Sequence, residues 1–129
     1  MVHTYLLGDW MTNLMPQVAS ILDDSDVQVL VYSGDKDWIC NWRGGEAWTL
    51  DTKWASKKEF NAQDFEEWTV EGQPAGAMRQ FGDLHFLRVY EAGHMVPMDQ
   101  PEHALAMLTR LVNNDWTNLS QTDDLQILQ

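Results

Sequence analysis

Asp37 and His94 stand 57 positions apart, and each follows an apolar run closed by a glycine. Before the aspartate the chain reads Val27-Gln28-Val29-Leu30-Val31-Tyr32-Ser33-Gly34-Asp35-Lys36. Before the histidine it reads Leu84-His85-Phe86-Leu87-Arg88-Val89-Tyr90-Glu91-Ala92-Gly93. A carboxylate and an imidazole delivered from two strand ends can work as one acid–base unit. The carboxylate fixes the imidazole tautomer and stabilises the imidazolium, and the other ring nitrogen takes a proton from a nucleophile. Gly34 and Gly93 let the chain turn sharply off each strand. The plainer reading is two solvated turns. Asp35 competes with Asp37, since either aspartate of Gly34-Asp35-Lys36-Asp37 can cap the turn or pair with Lys36.

The elements that must position these residues follow from the apolar periodicity. Trp10, Met11, Leu14, Val18, Ile21 and Leu22 recur at helical steps, predicting a helix over 9–22. Pro16 must either kink it or sit in the first turn of a shorter one. The run 27–32 carries valines on one side and Leu30 and Tyr32 on the other, the mark of a strand covered on both faces. Short helices are expected over 46–50 and 57–65, and a hairpin over 68–71 and 77–81 around Gly72-Gln73-Pro74-Ala75-Gly76. A second strand spans 84–90. A helix spans 101–112, with Ala104, Leu105, Leu108, Leu111 and Val112 on one face, and Asp99 or Gln100 near its cap. Helix, doubly covered strand, insertion, strand and helix make an α/β order. Polar residues at the carboxyl ends of parallel strands are where such sheets bind ligands.

Composition narrows the partners. The chain has 129 residues, 44% apolar, enough for one domain with a core. A net charge of −12 argues against nucleic acid or an anionic membrane surface, which need a basic face. No run approaches the roughly 18 apolar residues of a membrane span. The start of the chain has no basic n-region, and Gly8 and Asp9 break its apolar stretch, so no signal peptide is expected there. The single cysteine, Cys40, excludes an internal disulfide and reads most simply as a small buried hydrophobe. Neither cofactor nor metal is expected, because Asp37 and His94 have no further ligand at metal spacing. Trp38, Trp42 and Trp48 follow the acid and are candidates to wall an apolar pocket. Asn118-Leu119-Ser120 forms a glycosylation sequon.

The chain resembles the serine carboxypeptidases, of the carboxypeptidase Y type. The resemblance is carried by Gly8-Asp9-Trp10-Met11, by Val31-Tyr32-Ser33-Gly34-Asp35-Lys36-Asp37-Trp38-Ile39-Cys40-Asn41-Trp42, by Ala47-Trp48-Thr49, by Leu87-Arg88-Val89-Tyr90, and by Ala92-Gly93-His94-Met95-Val96-Pro97-Met98-Asp99-Gln100-Pro101. It implies the C-terminal part of an α/β-hydrolase fold: an incomplete, mostly parallel sheet with flanking helices and a small antiparallel hairpin. It implies Asp37 as the triad acid and His94 as the base, with Cys40 and Met95 lining the substrate side. It implies a peptide C-terminus as substrate, an acidic optimum, and a vacuolar, lysosomal or secreted home for the complete protein. Residues 1–115 are expected to belong to that domain, and 116–129 to form a polar, mobile tail.

The family nucleophile sits in a Gly-Glu-Ser-Tyr-Ala-Gly elbow upstream of this region. Ser20, Ser25, Ser33, Ser56 and Ser120 all lie outside any G-x-S-x-G context. The 129 residues alone are therefore expected to be inactive and to need the upstream, serine-bearing portion of the fold. The rival expectations are a non-catalytic interaction module using an unpaired apolar edge at 27–32, or an incomplete gene model.

Overall fold

The computed structural model describes residues 12–116. In chain order the elements are α1 (Met15–Asp24), β1 (Val29–Gly34), α2 (Trp42–Asp51), α3 (Lys57–Asn61), β2 (Glu66–Val70), β3 (Gln73–Phe81), β4 (Leu84–Val89), α4 (Val96–Asp99) and α5 (Pro101–Asn113). The four strands form one sheet in the order β1-β4-β3-β2. β1 runs parallel to β4, with Val29 opposite Leu84 and Gly34 opposite Val89. β3 pairs antiparallel with both β4 and β2. The α/β class stands, but the sheet is mixed: among the described strands one pairing is parallel and two are antiparallel. The sequence reading missed the second hairpin, β3–β4, although Gly82-Asp83 between two strand-like runs is a two-residue hairpin turn.

The period of two along β4 splits the core into two layers. Leu84 and Phe86 face Leu22 and Phe60, with Val18, Val29, Val31, Trp42 and Phe65 packed around them. Leu87 and Val89 face the other way, onto Trp68, Met78, Ala106, Met107 and Trp116. Helices on both faces of a sheet are the α/β layer arrangement. β4 is buried along nearly its whole length. β1 is not: it is an edge strand, and Tyr32 is 44% exposed. The expected covering of both its faces is only partial on the Leu30–Tyr32 side: Leu30 is half-buried against the Leu87 layer while Tyr32 is exposed, and along its edge β1 has no strand neighbour beyond β4 among the described residues.

Several boundaries moved for local reasons. α1 starts at Met15 with Pro16 in its first turn, so Pro16 opens a short helix; residues 1–11, including Trp10 and Met11, lie outside the described part. α2 begins at Trp42, four residues before the expected start, because the Asn41 side chain accepts the Gly44 N–H at 3.0 Å and caps it. The β2–β3 turn is Glu71-Gly72, both at positive φ, as a two-residue hairpin turn requires. Pro74 and Gly76 consequently fall inside β3, and a bulge between Trp68 and Thr69 absorbs the mismatch.

The face of α5 is the largest correction. Ala106, Met107 and Arg110 point inward, whereas Leu105, Leu108 and Val112 are 40%, 55% and 75% exposed. The helix is apolar on two sides, and periodicity selected the outer one. With Leu30, Tyr32, Pro97, Pro101, Ala104 and Leu111, that outer side forms an open apolar groove beside β1. Trp116, assigned by sequence to the tail, is buried instead. It stacks on His85 and donates from its indole N–H to Gln28 Oε1 at 3.1 Å. The tail proper, 117–129, with Asn118, lies outside the described residues.

Candidate active site

The site forms where the parallel strands β1 and β4 end together. Backbone hydrogen bonds continue the contact past the last register pair: Asp35 N–H donates to Val89 O at 2.9 Å and Lys36 N–H to Ala92 O at 2.9 Å. The two loops touch at Gly34, where a Cβ would lie 2.2 Å from Ala92 O and 2.4 Å from Gly93 O. A side chain there would push the loops apart, so glycine is required by the crossing itself. Lys36 and Glu91 pair across the same gap. Asp99 accepts the Gly93 N–H at 2.7 Å and holds the second loop from behind. This role was not read from sequence, which placed Asp99 or Gln100 near a helix cap; Gln100 occupies the N-cap position of α5, without a side-chain capping bond.

Asp37 and His94 meet across this junction, with His94 Nδ1 2.9 Å from Asp37 Oδ2. The other carboxylate oxygen, Oδ1, accepts the backbone N–H groups of Ile39 at 2.8 Å and Cys40 at 3.0 Å. The Asp37 side chain is only 5% exposed, that of His94 57%. Burial pushes the Asp37 carboxyl pKa up, but the His94 hydrogen bond and the Cys40 and Ile39 amides outweigh it, and the net shift is downward. The carboxylate is thus ionised, fixed at both oxygens, and aimed at one nitrogen of an imidazole open to solvent. Asp35 contributes no contact to His94; its Oδ1 is buried without a hydrogen-bond partner.

Cys40 and Met95 both flank the pair, and both are exposed. Cys40 is not the buried hydrophobe that its residue type suggested. The turn held by Asp37 Oδ1 curls Cys40 back, so that its Sγ, an Asp37 oxygen and a His94 ring nitrogen lie within 4.8 Å of one another. That corrects the expectation that the pair has no further metal-type ligand nearby. Spacing along the chain could not reveal a set drawn from positions 37, 40 and 94. Trp38, Ile39 and Met98 add exposed apolar surface around the same junction, at 94%, 81% and 76%. The tryptophan wall does not form: Trp38 projects to solvent, while Trp42 packs edge-on to Phe65 in the core and Trp48 lies beside Leu14 and Val18.

Comparison with known proteins identifies the family. Residues 2–114 match the family described as serine carboxypeptidase. A serine carboxypeptidase-like protein of Oryza sativa subsp. japonica is 42% identical over 94% of this chain and 28% of its own length. Carboxypeptidase Y homolog A of Chaetomium globosum is 44% identical over 84% of this chain and 20% of its own length. Among solved structures, the prohormone-processing carboxypeptidase Kex1(delta)p of Saccharomyces cerevisiae superposes with a TM-score of 0.75 at 25% identity, covering 88% of this chain and 25% of that one. The chain spans between a fifth and three-tenths of the length of these relatives. With strand-end loops, a carboxylate–imidazole contact and a family match over most of its residues, the chain belongs to the serine carboxypeptidase family.

Proposed function

We propose that this chain supplies the acid–base half of a serine-type carboxypeptidase that releases C-terminal amino acids from peptides. The supporting observation is the 2.9 Å contact between His94 Nδ1 and an Asp37 carboxylate already held by two backbone amides. In this reading His94 Nε2 takes the proton of a serine contributed by the rest of the family fold. The serine oxygen then bonds to the scissile carbonyl carbon, and His94 returns the proton to the departing amino acid. Water completes the cycle by the same proton path. Asp37 keeps the imidazole in the tautomer that leaves Nε2 free. Cys40 and Met95 face the substrate. The reaction uses no metal, and the complete protein resides in a vacuole or lysosome or is secreted. The described chain by itself lacks a nucleophile and is inactive.

The test is a graft. The matching 28% of the rice relative is replaced by this chain, and the chimera is assayed on a blocked dipeptide at mildly acidic pH. Release of the terminal residue, blocked by a serine-directed phosphonate and reduced about 10³-fold or more by His94→Ala and by Asp37→Asn, is the expected result. Undiminished turnover in His94→Ala would contradict the reading.

A second reading rests on the open flank. β1 lacks an outer partner among the described residues, and Leu105, Leu108 and Val112 stand exposed beside it. Such an edge can accept a strand from another protein. A stable complex of the isolated chain with a strand-donating protein, without turnover in the graft, would favour an interaction module.

A further inference from the structure

The turn that locks Asp37 also assembles a set of donors that hydrolysis does not use as a set. Cys40 Sγ, an Asp37 oxygen and a His94 ring nitrogen lie within 4.8 Å of one another. His94 Nδ1 and Asp37 Oδ2 are 2.9 Å apart. Zinc bonds of about 2.0–2.1 Å to nitrogen or oxygen and about 2.3 Å to sulfur, at tetrahedral angles, require donor separations of about 3.3–3.6 Å. The 2.9 Å pair must therefore open by about 0.5 Å, and the wider separations, at most 4.8 Å, must close by up to about 1.5 Å. Two of the side chains are free to make these shifts: Cys40 is exposed and His94 is 57% exposed. The third is fixed, as its Oδ1 is held by the amides of Ile39 and Cys40. One rigid carboxylate with two adjustable donors around it is a workable entry geometry for an ion from solvent.

We propose that Asp37, Cys40 and His94 form a zinc-binding site whose occupation displaces the Asp37–His94 hydrogen bond. Cys40 binds as the thiolate and releases its proton to solvent. His94 binds through Nδ1, so its remaining ring proton sits on Nε2, and water fills the fourth position. Thiolate, imidazole and carboxylate together select a borderline-soft ion over Mg²⁺ or Ca²⁺, which take oxygen ligands. Zinc bound here removes both the tautomer and the orientation that a proton-accepting His94 needs. The site would thus act as an off-switch for the proposed hydrolysis, although binding itself does not depend on that function.

Titration calorimetry of the full chain with zinc chloride near neutral pH, with Mg²⁺ and Ca²⁺ as controls, tests this directly. One zinc ion per chain is expected, with no heat from the other two ions. Cys40→Ser and His94→Ala should each weaken binding about tenfold or more. Both positions are exposed, so the variants should fold. Should either fail, the sole cysteine can be capped with iodoacetamide on the folded wild-type chain, with the same expected loss. Cobalt in place of zinc should show a thiolate-to-metal absorption band, absent in Cys40→Ser. Absence of zinc binding, or binding unchanged in both the cysteine-blocked and His94→Ala chains, would overturn the site. Neither result bears on turnover in the graft, so the two proposals fail separately.

Discussion

The two flanks of the sheet are built from similar apolar residues and behave differently. On the antiparallel flank, β4, β3 and β2 pair in sequence-local hairpins, and Trp68, Met78, Phe86, Leu87 and Val89 are fully buried. On the parallel flank, β1 holds only β4, its pairing spans more than fifty residues of chain, and Leu105, Leu108 and Val112 stay in solvent. The closed flank carries the stability and the open flank carries the site. Asp37 leaves the end of the edge strand, and His94 leaves the end of the strand that the closed flank holds rigid. The contact between them joins the two regions.

Substitutions on the two flanks should separate accordingly. The largest effect belongs to Phe86→Ala, which empties the centre of one core layer. It should cost about 3–5 kcal/mol, read as a fall in the urea midpoint of unfolding, and is expected to unfold much of the chain. A loss below about 1 kcal/mol would mean that the closed flank is not the stabilising one.

Next in size is a pH effect at the far end of β4 from the site. Burial pushes the His85 imidazole down to about 4. The folded state therefore holds this ring neutral where the unfolded chain, titrating near 6.5, already binds a proton. Stability should fall as pH drops from about 6.5 towards 4, by up to about 3 kcal/mol, and the His85 contribution should level off below that. His85→Phe keeps a ring against Trp116 and removes the proton, so its stability profile should be flatter over that window. Equal slopes for both chains in urea melts would contradict the assignment.

The smallest effect is expected on the open flank. Leu108→Gln should change stability by about 0.5 kcal/mol or less in urea melts. A loss approaching that of Phe86→Ala would show that the outer face of α5 is covered in solution.

What could be read from the sequence follows the same division. β1, β4, the first hairpin and the two strand-end loops announced themselves because runs of valine and leucine ending at Gly34 and Gly93 have few alternative structures. The inner face of α5 was missed because Ala106 and Met107 are weaker signals than the exposed leucines, and because Arg110 is buried over Trp68, its Nη2 donating to Thr69 O at 3.3 Å. Exposed apolar side chains look like core until the sheet order shows that, among the described residues, no layer lies over them. At the site, the chain pattern left Asp35 and Asp37 equivalent; the turn geometry separates them, since the second aspartate is the one that reaches across. Cys40 joins the pair through two backbone hydrogen bonds to Asp37 Oδ1, an aspartate turn that the sequence allowed equally at Asp35 and Asp37.

The most direct test of the account is the protonation of His94 in the isolated chain. Nitrogen–proton correlation NMR above the imidazole titration range should place the proton of the neutral ring on Nδ1, in a low-field resonance that disappears in Asp37→Ala while the signals of β4 persist. A ring protonated on Nε2, or an Nδ1 proton unaffected by Asp37→Ala, would contradict the claim that Asp37 and His94 act as one unit.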